Sequence, residues 1–219
     1  LFRSVLRKNQ RTQEAVAQLL HALKIDERFI PALYQLSICY RQIGQNDLAL
    51  TAIKSAVTDN NAPDFAFVEY GKVLLGLKQV SQALDAFDKA IETNRFCQDA
   101  YFEKALILSV DHPEQAEEMY RDLIRINPSC AAAYNNLGSL LYNQGRTNEA
   151  LEMYRQVVIL NPHDMSASFN LAVALEDLSE YEEATGLYFN VLCAHQYENE
   201  THLRLSAILP RLYEDNKEL

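Results

Sequence analysis

Glycine and proline are scarce in this chain of 219 residues, which contains 6 of each, and no Gly/Ser-rich stretch occurs. Flexible linkers between domains are usually rich in such residues. Their scarcity therefore favours one continuous body over two domains joined by a linker. The length is sufficient to bury a sizeable core, and the hydrophobic share of 48% is ordinary for a globular protein.

Basic residues are scattered, and no run of lysine or arginine occurs. The formal net charge is −10 and the sequence pI is about 5.0. Binding to a phosphate backbone needs a basic stripe, so we expect no nucleic acid partner. An acidic chain is better suited to a basic peptide or protein surface. No apolar run approaches the roughly 20 residues of a membrane-spanning helix, so no membrane span is expected.

The four cysteines, at positions 39, 97, 130 and 193, form no CxxC pair and match no zinc-binding spacing. We interpret them as small buried hydrophobic residues in a reducing compartment, which predicts an intracellular, cytoplasmic protein. The chain begins at Leu1 with neither a methionine nor a signal-like segment. It is therefore expected to be a fragment of a longer protein.

Motifs that carry catalysis are missing. The sequence contains no GxSxG, HExxH, P-loop or GxGxxG pattern. His195 and His202 are seven residues apart and could share a helical face, but a loop is expected between them. We therefore predict no catalytic residues, no metal site and no cofactor, and we do not expect this chain to be an enzyme.

An alanine that recurs every 33 or 34 residues reveals an internal repeat. Four residues after each alanine comes a large apolar residue, and three residues further comes another apolar residue. This spacing places apolar side chains on one face of an α-helix, and a period near 34 residues indicates repeated helical units. The repeated alanines are Ala15, Ala49, Ala83, Ala116, Ala150 and Ala184.

A second apolar pattern precedes the alanine in five of the units, as in residues 134–141, and predicts a second helix in each. Gly44 and Gly145 lie between the two patterns, where a turn is needed. Gly138 lies inside a predicted helix, where glycine costs about 0.5–1 kcal/mol relative to alanine. Its equivalents in the other units are also small, so we interpret it as a residue that lets two helices cross closely.

The two patterns together resemble the tetratricopeptide repeat. The fullest match lies within residues 131–164, at Tyr134, Leu137, Gly138, Ala150, Tyr154 and Pro162. The resemblance implies an all-α fold, a right-handed α-solenoid of about six helix-turn-helix units. Residues 199–219 would form a capping helix and tail, because a solenoid must cover its last hydrophobic face. The units are expected at residues 1–29 (partial), 30–63, 64–96, 97–130, 131–164 and 165–198.

Several positions depart from the family pattern. Lys104 occupies a normally apolar position, and Ser168 replaces the usual aromatic residue. The repeated alanine Ala116 comes 33 rather than 34 residues after Ala83, so the unit at residues 97–130 is interpreted as one residue short, which predicts an altered turn around residues 111–113. Pro210 is expected to interrupt the capping helix.

Members of this family line a concave face with the first helix of each hairpin and hold a partner peptide or helix there. The resemblance thus implies a protein-interaction module or scaffold. The acidity of the chain and the mixed lining of the projected face favour a partner with a basic or mixed apolar segment. Whether that segment is extended or helical stays open. The same register also projects Leu106, Ser109, Ser139 and Asn143 onto this face. The predicted partner-binding residues are Tyr34, Gln35, Glu69, Lys72, Phe102, Glu103, Asn135, Asn136, Tyr142, Phe169, Asn170 and Glu176.

An alternative function is the substrate-recognition arm of a larger glycosyltransferase. Asn136 and Asn170 occupy equivalent positions in adjacent units. This pair resembles the start of the asparagine ladder in O-GlcNAc transferases, and residues 205–219 resemble the junction before the catalytic domain of bacterial enzymes of that type. Gln35, Glu69 and Glu103 occupy the ladder position in the other units, so the ladder would not be continuous.

Overall fold

The structure is a computed structural model that describes residues 2–59, 61–194 and 197–215, with side chains described from residue 11 to residue 212. All regular secondary structure in these ranges is helical, which confirms the prediction of an all-α chain. The helices are α1 (Phe2–Ile25), α2 (Ile30–Gln42), α3 (Asn46–Val57), α4 (Asp64–Gly76), α5 (Val80–Thr93), α6 (Gln98–Asp111), α7 (Pro113–Ile126), α8 (Ala131–Asn143), α9 (Thr147–Leu160), α10 (Met165–Asp177), α11 (Tyr181–Cys193) and α12 (Glu198–Asp215).

The chain divides into two compact units, Leu1–Lys104 (unit 1) and Ala105–Leu219 (unit 2). In unit 1, α2 pairs with α3 and α4 pairs with α5 as helical hairpins, and α1 packs against α2. The repeated alanines Ala49 and Ala83 are fully buried, as are Ile53 and Phe87, which follow them by four residues. The 4-then-3 spacing read from the sequence therefore marks the buried face of the second helix in each hairpin.

Unit 2 repeats this arrangement, with hairpins α8–α9 and α10–α11, α7 packed against α8, and α12 packed against α11. A tyrosine follows the buried alanine by four residues on three second helices, and Tyr120, Tyr154 and Tyr188 are all buried. Leu205 and Ile208 are buried apolar residues of α12. The helix passes through Pro210, so the predicted interruption is wrong. Pro210 is exposed, where water can satisfy the carbonyl group that loses its helical donor.

Gly138 lies where α8 crosses α9. A Cβ atom at this position would lie 2.7 Å from Cε1 and 2.9 Å from Cδ1 of the Tyr154 ring, distances that real contacts essentially never reach. Gly71 meets Phe87 in the same way, with a distance of 2.6 Å. The small residues thus make room for the aromatic ring of the paired helix.

The turns within the hairpins use a left-handed backbone, with φ of 79° at Gly44 and 77° at Gly145. Lys78 and Ser179 take the same conformation at equivalent turns without being glycine, with φ of 62° and 64°. The turn between α6 and α7 differs, because only His112 separates the two helices. The unit at residues 97–130 is therefore shorter in the turn between α6 and α7.

The departures at Lys104 and Ser168 are compensated by polar contacts. The Lys104 ammonium group forms an ion pair with Asp88 of α5, which neutralises a charge that is only 19% exposed. The Ser168 hydroxyl donates to the backbone carbonyl of Asp164 over 3.1 Å. Among the described residues, no helix is both long and apolar enough to cross a bilayer.

Candidate functional site

Tyr34 and Phe65 form an aromatic pair on the first helices of unit 1. Their ring centroids lie 4.8 Å apart in an edge-to-face arrangement, and Phe65 is 40% exposed. Burial raises the pKa of the Tyr34 hydroxyl, and the nearby charge of Glu69 raises it further. The pair is an apolar surface patch with a polar hydroxyl group beside it.

The carboxylate of Glu69 is hydrogen-bonded to neighbouring side chains of unit 1. It accepts two hydrogen bonds from the Arg41 guanidinium, at 2.9 and 3.0 Å, and one from the Ser37 hydroxyl at 3.3 Å. The Glu69 side chain is only 4% exposed. A carboxylate with its oxygens engaged in this way positions Arg41 and has little surface left for a partner.

The other predicted residues of unit 1 are more accessible. Gln35 is exposed, and Phe102 is partly buried. Lys72 and Glu103 form an ion pair over 3.2 Å, with their side chains 28% and 23% exposed. The described first helices of unit 1 therefore present charges that are largely neutralised within the unit.

The first helices of unit 2 line a half-open cavity of about 380 Å³, which we call the α6–α8 cavity. Its polar and apolar lining residues alternate along α6 and α8 with helical spacing, and none carries a charge. Leu106 and Val110 are 48% and 81% exposed, so its rim is apolar and open to a ligand. The lining residues are Leu106, Ser109, Val110, Tyr120, Asn136, Ser139, Leu140 and Asn143.

Two amides at this cavity are not used by the fold in the part of the chain that the structure describes. Within the described residues, neither Asn136 nor Asn143 makes a side-chain hydrogen bond. In contrast, the Ser109 hydroxyl donates to the Leu106 carbonyl, and the Ser139 hydroxyl accepts from the Tyr154 hydroxyl over 3.2 Å. The two amides are thus the polar groups of the cavity that remain available to a ligand.

The neighbouring polar residues of α8 and α10 bond to each other. The Asn170 side chain donates to Asn135 Oδ1 over 3.2 Å, so the bonded pair is not the equivalent pair Asn136 and Asn170. The Tyr142 hydroxyl donates to Asp177. Burial raises the pKa of Tyr142 to about 12, and the bond to Asp177 contributes to the rise.

Phe169 and Glu176 belong to a cluster between α10, α11 and α12. The Phe169 ring is 7% exposed and stacks against Tyr197, with centroids 4.9 Å apart. Glu176 Oε2 accepts from the Tyr188 hydroxyl at 2.8 Å and from Arg204 at 3.1 Å. Phe169 is thus covered, and Glu176 is neutralised within unit 2.

Charge is distributed unevenly between the two units. Residues 105–219 contain 18 acidic and 7 basic residues, a net charge of −11, whereas residues 1–104 contain 12 acidic and 13 basic residues. The acidity of the chain therefore belongs to the unit that holds the cavity. Among the described residues, no group of three or more His, Cys, Asp or Glu side chains could hold a metal ion.

Sequence reasoning placed Asn136 on this face, together with Leu106, Ser109, Ser139 and Asn143. It missed Val110, Leu140 and Tyr120. The spacing of three and four residues along α6 and α8 could have indicated the first two. The contribution of Tyr120 depends on how α7 packs, which the period of the repeat does not specify.

The comparisons with known proteins agree with this architecture. Residues 108–151 and 138–199 match the family model described as Tetratricopeptide repeat. The structure of pilF from Pseudomonas aeruginosa is similar with a TM-score of 0.77 and 16% identity, covering 91% of each chain. MamA from Desulfovibrio magneticus RS-1 is similar with a TM-score of 0.65 and 19% identity, covering 74% of this chain and 93% of its own.

A third similar structure is that of YrrB, described as a TPR protein with an unusual peptide-binding site. It has a TM-score of 0.58 and 23% identity, and the match covers 75% of this chain and 85% of YrrB. Identities this low show the fold alone, and they confirm the predicted class of repeat solenoid. No curated protein sequence matches the chain. The alternative of a glycosyltransferase arm gains no support from these matches.

Proposed function

We propose that this chain, whose residues 108–199 match the tetratricopeptide repeat model, is a protein-interaction module that holds a segment of a partner protein against the first helices of unit 2. The observation that carries this proposal is the α6–α8 cavity of about 380 Å³, with an exposed apolar rim and two unpartnered amides. Concave sites with apolar walls and a few polar groups are typical ligand sites. The peptide-binding site named for YrrB supports the same use of the fold.

Unit 2 is favoured over unit 1 as the main binding surface. The charged groups predicted to bind in unit 1 are engaged in the ion pairs Arg41–Glu69 and Lys72–Glu103. A ligand that used these charges would have to separate the pairs, and in Arg41–Glu69 this leaves a carboxylate that is only 4% exposed without its counter-ion. We therefore assign Tyr34, Gln35 and Phe102 an accessory role in binding, and Glu69 a positioning role.

In unit 2 we assign direct contact to Asn136 and to the rim of the cavity. Asn135, Asn170 and Tyr142 form the polar surface beside it, and the cluster around Phe169 and Glu176 supports α10. The role is that of a scaffold without chemistry of its own. We place it in a reducing, cytoplasmic setting, because the four cysteines are free.

The test is selection of random 12-residue peptides displayed on phage by the immobilised full chain. The affinity of each selected peptide is then measured for the wild type and for a Leu106→Ser, Val110→Ser double variant. Burying one aliphatic side chain contributes about 1.5–3 kcal/mol, so the double variant should bind at least about tenfold more weakly.

Ile159→Ser is the matched control, because Ile159 is 68% exposed on the second helix α9 of the same unit. It should leave the affinity unchanged. Circular dichroism establishes that both variants are folded. Peptides that bind the double variant as tightly as the wild type, or failure to select any peptide, would refute the proposed function.

A further inference from the structure

We infer that the segment held at the α6–α8 cavity is extended and basic. An aliphatic side chain enters the cavity, Asn136 and Asn143 bond the main chain, and a lysine or arginine lies toward Asp111 and Asp177. This inference rests on the proposed function and specifies its ligand.

The unpartnered amides indicate an extended main chain. An asparagine side chain offers both a donor and an acceptor, so it can pair with the N–H and C=O groups of a peptide. The interior of a bound helix has already paired these groups with each other and offers the two amides no main-chain partner. Only a segment without internal hydrogen bonds makes use of both Asn136 and Asn143.

The spacing of the amides suits such a segment. Asn136 and Asn143 are seven residues apart on one face of α8, which corresponds to about 10.5 Å along the helix axis. An extended chain advances about 3.3 Å per residue, so two main-chain groups about three residues apart match this distance. Ser139 and Leu140 lie between the amides on the same face, which places the cavity under the middle of the segment.

The lining indicates what enters the cavity. Leu106, Val110 and Leu140 are aliphatic, and no lining residue carries a charge. A charged side chain would lose its hydration there without gaining a partner, whereas an aliphatic side chain gains from burial. The volume of about 380 Å³ is within the usual range of ligand sites.

Charge complementarity indicates the flanking residues. Asp111 directly follows Val110 at the end of α6, and Asp177 accepts the hydroxyl of Tyr142, the neighbour of Asn143. Both aspartates are the last residues of their helices, where the helix dipole adds negative potential. Unit 2 as a whole has a net charge of −11, so a cation that approaches these two aspartates is attracted over a longer range.

The first test uses the tightest peptide from the phage selection. Each peptide bond is replaced in turn by a backbone ester, which removes the N–H donor and weakens the carbonyl acceptor. Two sensitive positions about three residues apart are expected, each losing about tenfold in affinity. Asn136→Ala should abolish the sensitivity of one position and Asn143→Ala that of the other. Asn190→Ala, an exposed amide on α11, is the matched control and should change neither.

A helical ligand gives the opposite result. Helix-favouring α-aminoisobutyric acid substitutions would then strengthen binding, and the ester effects would be independent of Asn136 and Asn143. That outcome overturns the inference of an extended segment while the proposed function stands. Binding that does not depend on Leu106 and Val110 overturns the proposed function itself, so the two failures are distinguishable.

The second test addresses charge. The selected peptides should contain lysine or arginine on one side of the aliphatic residue. Raising the salt concentration from 50 to 500 mM should lower their affinity for the chain. An Asp111→Asn, Asp177→Asn double variant should lose affinity about fivefold or more for the basic peptide. It should lose none for a peptide with norleucine in place of the basic residue.

Glu152→Gln and Glu182→Gln, both exposed on second helices of unit 2, remove charge outside the cavity and should have little effect. Selected peptides without basic residues would overturn this part of the inference. An equal loss of affinity in the controls and in the aspartate variant would also overturn it.

Discussion

Replacing Gly138 with alanine is expected to destabilise the α8–α9 hairpin, although alanine is the better helix former. The added Cβ atom would lie 2.7 Å from the Tyr154 ring, which is 3% exposed and tied to Ser139 by its hydroxyl group. Overpacking of this kind costs about 1–3 kcal/mol, and the gain in helix propensity offsets about 0.5–1 kcal/mol. We expect a net loss of up to about 2.5 kcal/mol.

Gly186 provides the matched control. It lies inside α11 and is exposed, and a Cβ atom there would meet nothing within 4 Å. Gly186→Ala should therefore stabilise the chain by about 0.5–1 kcal/mol through propensity alone. The two substitutions are chemically identical and lie in the same unit, so the difference between them isolates the contact with Tyr154.

The assay is urea unfolding followed by circular dichroism, combined with hydrogen exchange of the amides of α8 and α9. Repeat arrays often unfold in more than one step, so the local exchange rates show whether the loss lies in this hairpin. Gly138→Ala should lower the urea midpoint and speed exchange in α8 and α9, while Gly186→Ala raises the midpoint. If Gly138→Ala stabilised the chain as much as Gly186→Ala does, the packing explanation would be refuted.

Three further predictions concern charged groups. Arg41→Met should destabilise unit 1 by about 3–5 kcal/mol in urea unfolding, because it leaves the buried Glu69 carboxylate unpaired, and an added Glu69→Met should restore most of the loss. The hydrogen bond from Arg146 lowers the pKa of Glu117 in the folded chain below its ordinary value of 4.5. The stability that the ionised carboxylate adds is therefore present above pH 4.5, and it is lost as the pH falls through the pKa of the folded state. The difference in urea midpoint between the wild type and Glu117→Gln should thus shrink from pH 7 to pH 3, and a constant difference would contradict it. Lys104→Met should change stability by less than about 1 kcal/mol, since the lost ion pair is partly exposed, and a larger loss in urea unfolding would contradict this.

The local and periodic features of the fold could be predicted from the sequence. The repeated alanines and the role of Gly138 follow from a helical period and from side-chain size, which are properties of the chain itself. The left-handed turns at Lys78 and Ser179 could not be predicted from residue type. At these two positions the packing of the paired helices fixes a left-handed turn, although glycine is the residue that usually adopts this backbone conformation.

The candidate site could be predicted only in part, because its chemistry depends on contacts between hairpins. The register predicted the helix of Glu69 correctly, but it could not predict that Arg41 and Ser37 occupy its carboxylate. The covering of Phe169 by Tyr197 depends on the path of the chain between α11 and α12. The α6–α8 cavity likewise exists because of the space left between side chains, which a linear pattern does not encode.

The central claim, that unit 2 binds a partner segment at the α6–α8 cavity, is tested most directly by NMR. The side-chain amide signals of the ¹⁵N-labelled full chain are followed while the selected peptide is added. The account predicts that Asn136 and Asn143 shift most, with one shared dissociation constant, while the signal of Asn190 on α11 stays in place. Shifts that centre on unit 1 or on the second helices, with Asn136 and Asn143 unchanged, would contradict it.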